Sequence, residues 1–151
     1  MVKVRPAQIA DLPTLLEFEQ GIIAAERPLA RDLKSGHINY YDLEQLIQSD
    51  SAVVAVAETE GRLVGSGYAK IIQGKSYAKN PRRAYLGFMY VDPALRGQAI
   101  NQTVLDFLEQ WSRDQGIKEL VLEVYNGNQP ALRAYEKAGF AKNLIQMRKE
   151  L

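Results

Sequence analysis

Cysteine is absent from this 151-residue chain, and histidine occurs once, as His37. Without cysteine there are no disulfides, no thiolate metal sites and no cysteine nucleophile. One histidine beside Gly36 gives a transition-metal centre too little to draw on, so no metal is expected and His37 reads as a surface loop residue. Charge of one sign is missing as well. Nineteen basic residues stand against eighteen acidic ones, a net charge of +1, which argues against nucleic acid as a partner. No apolar run approaches the roughly 18 to 20 residues that span a bilayer, and Met1-Val2-Lys3-Val4-Arg5-Pro6 carries no apolar signal core. The expected location is cytoplasmic, with no membrane partner. Neither Gly-x-Gly-x-x-Gly nor Gly-Lys-Ser/Thr occurs, which excludes a generic glycine-rich nucleotide-binding domain. Internal repeats and low-complexity tracts are lacking.

What is present is an ordinary balance of 46% hydrophobic and 25% charged residues, suited to one domain over residues 1–151 with a sizeable core. Val2 to Arg5 alternates like a strand that Pro6 ends. A helix is expected from about Ile9 or Asp11 to Ala25, through Leu12, Leu15, Leu16, Ile22 and Ile23. Arg27 to Asn39 reads as a loop and Tyr41 to Gln48 as a short second helix. Ala52 to Ala57 and Leu63 to Ile72 predict a hairpin about Glu60-Gly61. Beyond the polar loop Gln73 to Pro81 come a strand, Arg82 to Val91, and a helix from about Ala99 to Gln115, stopped by Gly116. A strand from Lys118 to Tyr125 precedes a helix from Gln129 to Ala138, with Pro130 at its start and Gly139 at its end. Phe140 to Leu151 is expected to supply one or two closing strands. The strand–helix–strand from Arg82 to Tyr125 predicts a right-handed parallel crossover. The fold class is α/β (α+β in some schemes), a mixed, mostly antiparallel central sheet with helices on both faces.

The stretch Tyr90-Val91-Asp92-Pro93-Ala94-Leu95-Arg96-Gly97-Gln98-Ala99-Ile100-Asn101 says most about function. It reads as a strand end, a basic glycine-containing turn and the first turn of a helix whose apolar face is Ile100, Val104, Leu105, Leu108 and Trp111. Free amides and the helix dipole at such a start favour a phosphate. A phosphorylated ligand is therefore expected here.

The order of elements and two motifs resemble the GCN5-related N-acetyltransferase (GNAT) family over nearly the whole chain. The family's phosphate motif, Gln or Arg, two residues, Gly, one residue, then Gly or Ala, falls on Arg96, Gly97, Gln98, Ala99, Ile100 and Asn101, with Gln102 next. Arg96 matches. Ala99 stands where glycine is usual and Asn101 where Gly or Ala is, so cofactor affinity is the property this departure touches. The second motif, from Asn128 to Phe140, matches throughout, including Ala131, Tyr135 and Gly139. The resemblance implies the acyl-CoA N-acyltransferase (GNAT) fold and acetyl-CoA as acetyl donor. It further implies a pantetheine slot along Met89, Tyr90 and Val91, with Asn128, Ala131 and Tyr135 on the cofactor side.

Acetyl transfer to an amine needs a base for the amine and an acid for the departing thiolate. Tyr135 suits the acid, since a phenol keeps its proton near pH 7, and the resemblance implies the same role. The plainer reading is a tyrosine that packs its helix on the sheet. Glu123 is the candidate base, a carboxylate expected to be buried in a mostly apolar strand, where burial raises its pKa. Leu122-Glu123-Val124 before the Asn128 helix also resembles the ribosomal-protein N-terminal acetyltransferases, whose matching glutamate takes the proton. Alternatively, Glu123 reaches solvent or pairs with an arginine. Glu26 stands behind it as a second candidate. Arg82-Arg83 with Lys79 could meet the 3′-phosphate of CoA or an acceptor carboxylate, or simply be solvated, and Tyr40, Tyr41, Tyr68, Tyr77, Tyr85 and Tyr90 could line an acceptor cleft or pack. The expected function is acetyl transfer from acetyl-CoA to a primary amine by direct attack. The alternative is a non-catalytic acyl-CoA-binding or sensing domain on the same fold, which needs neither Tyr135 nor Glu123. The closing segment could also pair between subunits of a homodimer.

Overall fold

The computed structural model describes residues 1–151. Its centre is a hairpin of β2 (Ala52–Thr59) and β3 (Arg62–Gln73). Glu60 and Gly61 turn it with positive φ of 51° and 73°, the backbone that matches the twist of two-residue hairpins. β1 (Lys3–Pro6) pairs antiparallel with β2, and β4 (Arg82–Val91) antiparallel with β3. β5 (Leu120–Val121) joins β4 in parallel, giving the order β1-β2-β3-β4-β5. The expected hairpin and parallel crossover are both present.

Successive β2 residues face opposite sides of the sheet, and Val53 to Ala57 are all buried. Helices therefore cover both faces. Val54 and Val56 meet Leu15 and Phe18 of α1 (Leu12–Glu26) and Leu43 and Leu46 of α2 (Leu43–Gln48). Val53, Ala55 and Ala57 meet Ile100, Val104, Leu105 and Leu108 of α3 (Ile100–Asp114). α4 (Gln129–Lys137) lays Tyr135 against the edge of this second core. The expected first helix starts as a 3-10 turn, Ile9–Asp11, before α1 proper. No helix is long and apolar enough to cross a membrane.

Two expectations fail at the far edge. Only Leu120 and Val121 of the expected Lys118–Tyr125 strand pair with β4. No strand forms within Phe140–Leu151, where Leu144, Ile145 and Met147 are almost fully exposed and Arg148 is tied to Asp32. The reasons are linked, because a two-residue β5 offers a closing strand too little ladder to extend.

Candidate active site

The site begins with one surplus residue. Ser66 of β3 faces Tyr90 of β4, whereas Tyr68 faces Gly87, so β4 carries an extra residue between them. Phe88 absorbs it with a φ of 57°, a conformation rare for a bulky residue and typical of a β-bulge. Leu86 and Met89 consequently pack toward α3, and Phe88 and Tyr90 toward α1. The buried Ser66 hydroxyl donates to the Phe88 carbonyl at 3.0 Å. A Cβ on Gly87 would lie 2.6 Å from Cζ of Tyr68, so glycine lets that ring rest on the strand. On its other side β4 pairs with β5 at Ala84 and Tyr85 only. Met89, Tyr90 and Val91 thus run along an open edge, where the resemblance put a pantetheine slot.

β4 ends at Val91, and the next residue, Asp92, accepts from the Ala94 amide at 2.9 Å and pairs with Arg62 at 2.8 Å. The turn beyond it is exposed from Arg96 to Ala99. Gly97 has φ 84°, and Ala99, the N-cap of α3, has φ 62° and ψ 20°. Ile100 is buried in the core and anchors the helix start. Thr103 is the first amide here to bond back, to the Ala99 carbonyl at 3.1 Å. The amides of Gly97, Gln98, Ala99, Ile100, Asn101 and Gln102 donate to no protein acceptor, a run of donors suited to a diphosphate. The Gln102 side chain is engaged with Asp106 at 2.8 Å, which leaves its main chain to serve.

On α4, Asn128 caps the helix by accepting from the Ala131 amide at 3.3 Å. Ala131 and Tyr135, four residues apart, share a face and are half-buried. The Tyr135 ring meets Phe140 edge-on at 5.8 Å between centroids. Burial, and secondarily the charge of Glu26, push its phenol pKa up to about 12.

Of the two candidate carboxylates, Glu123 lacks the burial expected of a base and follows its alternative reading, whereas Glu26 is partly buried. Glu123 is exposed, because the chain leaves the sheet after Val121, and it accepts from the Tyr85 hydroxyl at 2.7 Å. Glu26, the last residue of α1, is half-buried, and burial raises its pKa against a smaller opposing effect of Tyr40. Its charge in turn raises the phenols of Tyr40, Tyr41, Tyr125 and Tyr135, in each case behind burial. The adjacent Arg27 does not neutralise it, since that guanidinium donates to the carbonyls of Lys34 and Gly36. An acid at the C-terminal turn of an apolar helix, where the dipole disfavours it, was the available sequence signal.

Glu19 gave no such signal. It is wholly buried, and its Oε2 accepts from the amides of Tyr40 and Tyr41 at 2.7 and 2.8 Å, pinning that loop to α1. From there rings step across the sheet: Tyr40 to Tyr41 at 5.6 Å, Tyr41 to Tyr68 at 5.5 Å, Tyr68 to Tyr85 at 6.4 Å. Tyr90 lies outside this row, stacked on Phe18 at 4.2 Å, and Tyr77 is exposed in its loop. His37 borders an open groove between α1 and α2, with Leu16, Gln20 and Glu44. Arg82 donates to Gln115 O, and Arg83 to Asn80 O with Glu119 at 3.3 Å. Both open the ten-residue β4, roughly 30 Å from the turn that follows it, too far to share its ligand.

The sequence profile of the acetyltransferase (GNAT) family matches residues 21–140. Streptothricin acetyltransferase of Streptomyces lavendulae is 31% identical over 62% of this chain and 46% of its own. The chain spans 31 to 46% of the length of four such sequence relatives. A mutant of the BH1408 protein of Bacillus halodurans shares the fold with a TM-score of 0.89 at 16% identity, over 99% of both chains. A predicted acetyltransferase of Clostridium acetobutylicum, solved with acetyl-CoA, shares it at 0.75 and 19%, over 99% of this chain and 96% of that one. The matched span runs from α1 past the bulged β4, its donor-lined turn and Tyr135, and the chain belongs to the acetyltransferase (GNAT) family.

Proposed function

We propose that this domain transfers an acetyl group from acetyl-CoA to a primary amine by direct attack in a ternary complex. Acetyl-CoA supplies the acyl group already activated as a thioester. The amides from Gly97 to Gln102 hold its diphosphate, and the open edge at Met89, Tyr90 and Val91 takes its pantetheine arm. Asn128 and Ala131 set the start of α4, so that Tyr135 reaches the sulfur. The amine nitrogen bonds to the thioester carbon, Glu26 accepts the proton the amine gives up, the carbon–sulfur bond breaks, and the Tyr135 hydroxyl gives its proton to the sulfur. Without cysteine there is no thiol to carry the acetyl group between two half-reactions.

Glu26 displaces Glu123 as the proposed base because it is half-buried where Glu123 is exposed, burial raises its pKa, and its charge acts on Tyr135. The observation that carries the reading is the run of six unpartnered amides beside a strand edge without a ladder, with a protonated phenol on the next helix. Tyr135→Phe removes only the proton. It is expected to lower kcat for thiol release by about 10²-fold while calorimetric acetyl-CoA affinity changes little. An unchanged kcat would refute the acid role. Acetyl-CoA binding with no thiol release from any amine would favour the sensing alternative.

A further inference from the structure

The tyrosine row has a carboxylate at each end. Glu26 acts on Tyr40 at one end, and Glu123 holds the Tyr85 hydroxyl at the other. The Glu123 end already bears an ammonium. Nζ of the exposed Lys70 stands 6.0 Å from the Tyr68 ring centroid and 5.8 Å from that of Tyr85. That is the distance at which a cation is attracted to a ring face. No acid within salt-bridge range fixes Lys70, so its flexible stem is free to swing away. The Tyr40 hydroxyl at the inner end is buried, has no partner at full hydrogen-bond geometry, and lies within the electrostatic reach of Glu26.

We infer that the acceptor is a linear amine with a second positive charge, a diamine or polyamine, whose distal ammonium displaces Lys70 over Tyr68 and Tyr85 beside Glu123 while its reactive amine meets Glu26 and Tyr135. This inference rests on the acetyltransferase reading above. A carboxylate at the distal position is disfavoured, because Glu123 and the faces of the Tyr68 and Tyr85 rings repel it and Lys70 is the one ammonium that stands over them.

Three amines of one chain length separate the cases: butylamine, putrescine and γ-aminobutyrate, each with acetyl-CoA and thiol release as readout. Putrescine is expected to exceed butylamine in kcat/KM by about tenfold. Glu123→Gln lowers that ratio toward one through the putrescine KM, and Lys70→Met raises it by removing the competing cation. Equal wild-type values for putrescine and butylamine would overturn the dication and leave the acetyltransferase reading standing. A preference for γ-aminobutyrate that Lys70→Met abolishes would overturn it in favour of a carboxylate-bearing acceptor. If no amine releases thiol although acetyl-CoA binds, the acetyltransferase reading falls, and this inference with it.

Discussion

At the scale of single residues, Ala99 carries strain that its sequence position foretold. The family pattern wants glycine there, and the backbone adopts φ 62°, where a Cβ crowds its own carbonyl. Ala99→Gly is expected to raise stability by about 0.5 to 1 kcal/mol in urea denaturation and to keep or tighten acetyl-CoA affinity by calorimetry. A marked weakening would contradict the role given to the turn. Glu26 makes a second expectation. A base works deprotonated, so kcat/KM falls as pH drops through its pKa, and that limb should lie above the ordinary 4.5. Glu26→Gln should remove the limb. If Glu123→Gln removed it instead, the role would return to Glu123. Tyr135, Ala131 and Asn128 were legible because helical spacing and capping are local. The contrast between Glu26 and Glu123 was not, because burial at a helix end depends on how residues 27–41 fold over it, and burial at 123 on where β5 stops.

At the scale of elements, the hairpin was legible through Glu60-Gly61, and each helix through its apolar spacing, caps or terminal glycine. The bulge was not. Nothing in Gly87-Phe88 distinguishes it from an even strand, since the surplus residue appears only against the register of β3. Gly87→Ala tests the packing that follows. The new methyl would fall 2.7 Å from the Tyr68 hydroxyl, and that buried ring is braced by Tyr41 and cannot yield freely. A loss of about 1 to 3 kcal/mol in urea denaturation is expected, together with a larger KM for the acceptor. An unchanged midpoint would show that the ring has room to move. The expected closing strand is absent for a related reason, because pattern alone predicts a strand where only a partner ladder can complete one.

At the scale of the whole molecule, carboxylates tie successive elements together. Arg5 bonds Asp11 at 2.9 and 3.0 Å, joining the first strand to the first helix, and Arg62 bonds Asp92 where β4 enters the turn. The Arg5 hydrogen bond holds the Asp11 carboxyl below its ordinary 3.8. Asp92 is lowered first by the Ala94 amide and then by Arg62. A depressed folded pKa contributes stability above the unfolded value that is lost as pH falls through the folded one. Glu26, with its raised pKa, works in the opposite sense. The urea midpoint is therefore expected to decline below about pH 4, less steeply in Asp11→Asn. A decline that began near pH 6 would assign acid sensitivity to other groups. The extra residue in β4 also bears on how this sheet tolerates change over time. Met89, Tyr90 and Val91 serve two separate cores by strict alternation. Residues of similar volume can replace one another there, but losing the one surplus residue would even the ladder against β3 and erase the bulge. Along this strand, descent should conserve length more faithfully than composition.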